Sequence, residues 1–265
     1  MSGLENAGRD ALAGEERLGQ DSVAFASFVQ AVSGDFDLLA ELHDREPTAA
    51  MVEAVQCCPI EDQLGLVLRS DAGLAALAAF KLATEELPRP VTQHAIDELA
   101  AAYADVYLRH TYRAAPTESV WLTEDGLERQ SPMFEVREFY RRHNLVATDW
   151  ANRPDDHIVL QLRFMARVFD AAKTPDDLAG AVAFLDAHLL RWAKRHAIRL
   201  VQTGAPEWYA AVSLLTACYA DEVRDHLSAL TGMARPLRVE TSAAKNDKAA
   251  VEAAMPYIPG VAPSW

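Results

Sequence analysis

The sequence predicts an all-α fold, a single globular helical bundle of about ten helices, and three observations carry that prediction. Alanine, leucine and charged residues dominate, alternating runs of the strand type are nearly absent, and Pro and Gly cluster between helical patterns rather than inside them. With 50% hydrophobic residues in 265, the chain has enough apolar side chain for a proper buried core.

In chain order, periodic segments predict helices at 21–33, 35–43, 47–57, 60–68, 71–85, 92–109, 132–143, 158–169, 178–192 and 206–230. The strongest faces are Ile158, Leu162, Met165 and Phe169, then Leu178, Val182, Leu185, Leu189 and Trp192, which step by three and four as one side of a helix does. Ser33-Gly34, Pro47, Pro59, Leu87-Pro88-Arg89-Pro90, Ser131-Pro132, Thr174-Pro175-Asp176-Asp177 and Gly204-Ala205-Pro206 punctuate them. Residues 111–131 lack a helical period and read as a long ordered loop. A second irregular stretch, a hinge loop, runs over residues 145–156. The domain is expected at 21–235, with a flexible N-terminal arm at 1–20 and an extended tail at 236–265 that carries Tyr257, three late prolines and Trp265.

Composition narrows the function. A net charge of −14 with pI near 5.0 repels nucleic acid and anionic lipid and favours encounter with basic partners. The longest weakly polar stretch, Ala72–Phe80, ends at Lys81, short of the ~20 residues a bilayer span needs, so no stable membrane insertion is expected. The first twenty residues lack a basic region leading into an apolar one, which predicts a protein that stays in the cytoplasm. Cys57, Cys58 and Cys218 make neither a disulfide framework nor a metal clip. No zinc spacing, phosphate-cradling glycine loop or nucleophile elbow occurs, so no metal, cofactor or catalytic set is expected.

Three elements carry candidate binding chemistry. Asn152-Arg153-Pro154-Asp155-Asp156-His157 leads straight into the helix at Ile158 and has the composition of a helix start. An acid beside a histidine also offers charge-assisted acceptors for an arginine, and the two readings are compatible. At the helix N-terminus the histidine is expected to be biased toward its neutral form. Glu118-Ser119-Val120-Trp121-Leu122 sets a tryptophan in an irregular loop, where a core aromatic is the plainer reading. His188 and Trp192 lie four apart on one helix face, as core packing or as the lining of a groove. Arg141-Arg142 is followed by His143-Asn144, not by an apolar run, and reads as a solvated or salt-bridged pair.

Taken together, Glu98-Leu99, Tyr103, Tyr107-Leu108, the loop Pro116 to Leu122, the helix around Val136 to Tyr140 and the element Arg153 to His157 resemble the TorD/DmsD family of redox-enzyme maturation proteins over roughly residues 20–230. Thr117 stands where many relatives carry an aromatic, and Arg153 replaces a frequent acid. The resemblance implies an all-α chaperone without enzymatic activity. Its partner would be a molybdopterin-containing oxidoreductase, gripped by its twin-arginine leader and held from export until its cofactor is loaded. It also implies that Glu118, Ser119, Trp121, Tyr140, Pro154, Asp155, Asp156, His157, His188 and Trp192 surround the bound leader, with the protein a monomer or dimer. Two other functions compete: an assembly factor for an oxidoreductase subunit that is not exported, and a weak nucleotide-binding or hydrolysing protein using Asp156 and His157 as an acid-base pair.

Overall fold

The computed structural model describes residues 2–148 and 153–236, with side chains from Ser22 onward. Eleven α-helical segments and no strand occur among the described residues. They are α1 (Ser2–Asp44), α2 (Ala49–Cys57), α3 (Ile60–Gln63), α4 (Asp71–Glu85), α5 (Gln93–Tyr103), α6 (Glu118–Leu122), α7 (Ser131–Arg142), α8 (Ile158–Ala171), α9 (Ala179–Phe184), α10 (Leu190–Gln202) and α11 (Glu207–Thr231). The expected tail lies outside the described residues from 237 onward, as do residues 149–152 of the hinge loop, Asn152 included.

Local chemistry sets most boundaries. Thr48, Ser70 and Thr92 cap α2, α4 and α5 by accepting from Met51, Gly73 and Ala95 backbone N–H groups. Gly232, at φ 71°, closes α11 in the left-handed conformation that glycine adopts without a Cβ penalty. Three expectations are corrected. Helices 21–33 and 35–43 are one helix, whose backbone also runs through residues 2–20. Gly34 does not break it, because buried Val32, Phe36 and Leu39 hold the turns on either side in the core. The helix expected over 60–68 stops at Gln63, because carboxylates from other helices capture the next backbone N–H groups. Asp35 accepts from Gly65 (2.7 Å) and Leu66 (2.9 Å), and Glu222 from Arg69 (3.0 Å) and Ser70 (2.6 Å). Third, the loop expected over 111–131 contains α6.

Helix α11 occupies the centre, buried from Trp208 to Leu227 on nearly every side, between α4, α10 and α1. Helix α8 lies along α1, joined to it by Ser33 Oγ donating to the Ala166 carbonyl and by ion pairs of Asp37 with Arg167 and of Asp44 with Arg163. The segment Ser22–Asp44 of α1 corrects the expectation about apolar stretches: by length and composition alone it is sufficient to cross a bilayer, and it is partly buried here against α8. Two π-helical turns, Ala104–Leu108 after α5 and Leu185–Leu189 between α9 and α10, replace the regular helix expected there. Each carries a side chain, Tyr107 or His188, into a buried polar contact.

Asp35 is nearly fully buried and also accepts from Tyr219 Oη at 2.7 Å, so three donors from two other segments converge on it. Asp35→Ala leaves those donors unsatisfied and is expected to lower unfolding stability by about 3 kcal/mol in urea denaturation.

Candidate functional site

The two irregular segments singled out in the sequence meet. Thr117 and His157 form an isolated antiparallel bridge, flanked by Ile158 N donating to the Pro116 carbonyl (2.8 Å) and Glu118 N to the Asp156 carbonyl (3.1 Å). Pro154 opens the turn, its carbonyl accepting from His157 N at 3.0 Å. His157 then caps α8, its Nδ1 accepting from Val159 N at 3.2 Å. Accepting through Nδ1 requires an unprotonated nitrogen there. The charged form is disfavoured first by burial and then by Arg153, which hold the pKa of His157 well below the ordinary histidine value.

Side chains weld the bridge. Asp156 Oδ2 accepts from Ser119 N (2.7 Å) and Ser119 Oγ (2.5 Å), while Oδ1 has no partner among the described residues. Glu118 is fully buried: Oε1 meets His188 Nδ1 at 2.9 Å, and Oε2 accepts from Gln161 Nε2 at 2.5 Å. Trp192 Nε1 donates to Gln161 Oε1 at 3.2 Å. Burial raises both carboxyl groups above their usual range, against the lowering effect of His188 on Glu118 and of Ser119 on Asp156. Trp121 is half-buried, its Nε1 donating to the Ala115 carbonyl at 2.8 Å and its ring under Arg195.

Asp155, the neighbour of Asp156, points the other way. Its carbonyl accepts from Tyr140 Oη at 2.8 Å, and its Oδ2 accepts from both Nε (3.1 Å) and Nη2 (2.6 Å) of Arg137 on α7. This pair forms one wall of a groove of about 320 Å³ that Tyr140, Arg141, Leu145, Val146 and Ala147 complete, beside the hinge. Val146 is 80% exposed, and Phe134, one turn before Arg137, is 55% exposed.

The site residues named from sequence thus divide. Glu118, Ser119, Pro154, Asp156, His157, His188 and Trp192 are buried together as an internal lock, and Tyr140 and Asp155 reach the groove. Trp121 lies on the far side of the lock, against His196. Sequence reasoning missed Gln161, Arg137, Leu145, Val146 and Ala147. Gln161 was visible as the uncharged polar residue in the apolar run Ile158 to Phe169, and Arg137 as a cation one turn before Tyr140 and Arg141. Arg142 is salt-bridged to Glu138 at 3.3 Å, as expected for that pair.

Among the described residues, the buried polar set thus lies beside an open groove on a helical scaffold. The chain belongs to the nitrate reductase delta subunit family, whose sequence model it matches over residues 58–197. It is similar to the chaperone protein TorD of Vibrio cholerae serotype O1 (strain El Tor Inaba N16961), with 30% identity over 141 residues, 50% of this chain and 64% of that protein. It is also similar to TorD of Vibrio vulnificus (strain CMCP6), 27% identical over 194 residues, 69% of this chain and 89% of that protein. TorD of Vibrio atlanticus is 27% identical over 134 residues, 47% of this chain and 62% of that protein. The chain spans 64% of the length of the first of these relatives. The resemblance to the TorD/DmsD family read from the motifs agrees with these matches.

Two outcomes test the lock and its surroundings. Gln161→Leu leaves Trp192 Nε1 and Glu118 Oε2 without partners and is expected to cost about 2–3 kcal/mol in denaturant unfolding. His43 is fully buried between Tyr107 Oη (2.6 Å) and Thr216 Oγ1 (2.9 Å), and burial lowers its pKa to about 3. A base depressed in the folded state contributes stability above its unfolded pKa of about 6.5, and that stability is lost as pH falls toward 3. Glu118 and Asp156, raised by burial, act with the opposite sign, so the contribution of His43 is read by difference. His43→Gln is expected to remove about 2 kcal/mol of the change in stability between pH 7 and pH 5, measured by urea unfolding at both.

Proposed function

We propose that this protein is a cytoplasmic chaperone that binds the twin-arginine signal peptide of a molybdopterin-containing oxidoreductase in the groove between α7 and the hinge, and assists cofactor loading before export. Such a peptide presents two guanidinium groups and then an apolar stretch, so its receptor needs a carboxylate acceptor next to apolar surface. The observation that carries the reading is the place of Asp155: a carboxylate in the groove wall, beside Leu145, Val146 and Ala147. Tyr140 holds the Asp155 backbone, and Glu118, Ser119, Asp156, His157, His188 and Trp192 keep that wall in position from inside. The net charge of −14 supports it, since it speeds encounter with a basic segment at low salt. The TorD chaperones among the relatives support the chaperone class.

A second reading is favoured by the description of the matching family, the delta subunit of nitrate reductase. In that reading the same groove takes a segment of an oxidoreductase subunit that has no leader, and the protein is an assembly factor.

The test is calorimetric titration with a synthetic twin-arginine leader. Saturable binding is expected, weakened about tenfold or more by Asp155→Asn or by replacing both peptide arginines with alanine. No heat from folded wild-type protein, together with binding of a leaderless oxidoreductase subunit, establishes the second reading instead.

A further inference from the structure

We infer that Arg137 is the resident occupant of the groove's guanidinium site, displaced from Asp155 when a docking segment arrives, and that it sets the groove's preference for arginine over lysine. The inference rests on the reading that the groove takes a twin-arginine segment, and concerns how that segment gains entry.

The geometry of the pair is the starting point. The Asp155 side chain is 4% exposed, whereas the Arg137 side chain that covers it is 31% exposed, so the carboxylate faces solvent chiefly through the guanidinium. Arg137 spends two of its N–H groups on one oxygen, Oδ2, rather than one on each oxygen. Arginine and carboxylate pair most strongly when two parallel N–H bonds fall on two different oxygens. The resident pair therefore falls short of that fork geometry, and an incoming guanidinium that engages both oxygens outcompetes it. A lysine ammonium, a point charge without the fork, does not reproduce that gain.

Arg137 also has somewhere to go. Its guanidinium carbon already lies 5.4 Å from the centroid of the exposed Phe134 ring, one turn earlier on α7, so release leaves it over an aromatic face in contact with water. Exchange of one cation for another also keeps the nearly buried carboxylate neutralised throughout, whereas an empty Asp155 would leave an unpaired, nearly buried charge. The groove thus stays closed to apolar and ammonium-bearing segments until a better guanidinium presents itself. Arg142, the last residue of α7 and outside the groove lining, pairs with Glu138 and serves as the charge control.

The experiment is titration of a twin-arginine leader, and of the same leader with two lysines, into wild type, Arg137→Gln, Arg137→Lys and Arg142→Gln. Each variant is first shown to be folded by circular dichroism. Removing the competitor is expected to tighten the arginine leader about fivefold or more in Arg137→Gln, and in the same direction in Arg137→Lys, which keeps the charge but loses the fork. Arg142→Gln is expected to change affinity by less than about twofold, and the arginine-over-lysine ratio is expected to shrink in Arg137→Gln. Wild-type binding with Arg137 variants that bind equally or more weakly overturns the exchange and leaves the proposed function standing. Equal tightening in Arg142→Gln and Arg137→Gln, with none in Arg137→Lys, also overturns it, as a plain effect of net charge. Absence of binding by every protein removes both.

Discussion

Glu118 and Asp156 have no exposed surface, and a carboxylate without water must find donors inside the protein. Those donors come from segments far apart in the chain: Ser119 for Asp156, and His188 and Gln161 for Glu118. The demand ties α6, the start of α8 and the π-helical turn Leu185–Leu189 into one body, with the Thr117–His157 bridge as its backbone component. Neither irregular segment has enough regular hydrogen bonding to hold itself, so their shape depends on this set of contacts. The groove beside the hinge inherits its shape from them.

Adjacent residues with opposite fates make the site work. Asp156 turns inward and is consumed by structure, while Asp155, one peptide unit earlier, turns toward Arg137 on α7. The inward carboxyl group is pushed above its usual range by burial, which suits a structural acceptor held by Ser119 rather than an exposed ligand for a peptide. The contact of Asp155 with Arg137 is thereby separate from the lock around Asp156. Asp44 extends the logic to the other side of the hinge, where it pairs with both Arg153 and Arg163 and so fixes the end of α1 to the start of α8.

Much of the helical layout was legible from local pattern. The helix over 71–85 coincides with α4, and those over 132–143 and 206–230 match α7 and α11 to within a residue or two, because apolar period, caps and proline act within a few residues. The misses share one cause. The helix expected over 60–68 is cut short by Asp35 and Glu222, which lie about 30 and 150 residues away and capture its backbone N–H groups. Gly34 read as a break, yet core contacts on both sides carry α1 through it, since the cost of glycine in a helix is only about 1 kcal/mol.

For the site, the sequence by itself determined that two irregular segments carry an acid, a histidine and a tryptophan, and that amphipathic helices flank them. Residue type and spacing are local properties, so pattern reveals them. Only the tertiary structure decided which of these side chains face water. Glu118 and His188 are seventy positions apart, and their pairing, with Gln161 between Glu118 and Trp192, follows from packing that no short-range pattern encodes. The same packing turned most of the named residues inward and left Asp155, Arg137 and Tyr140 lining the groove, because Asp155 and Asp156, though both buried, point opposite ways, one to Arg137 and the other to Ser119.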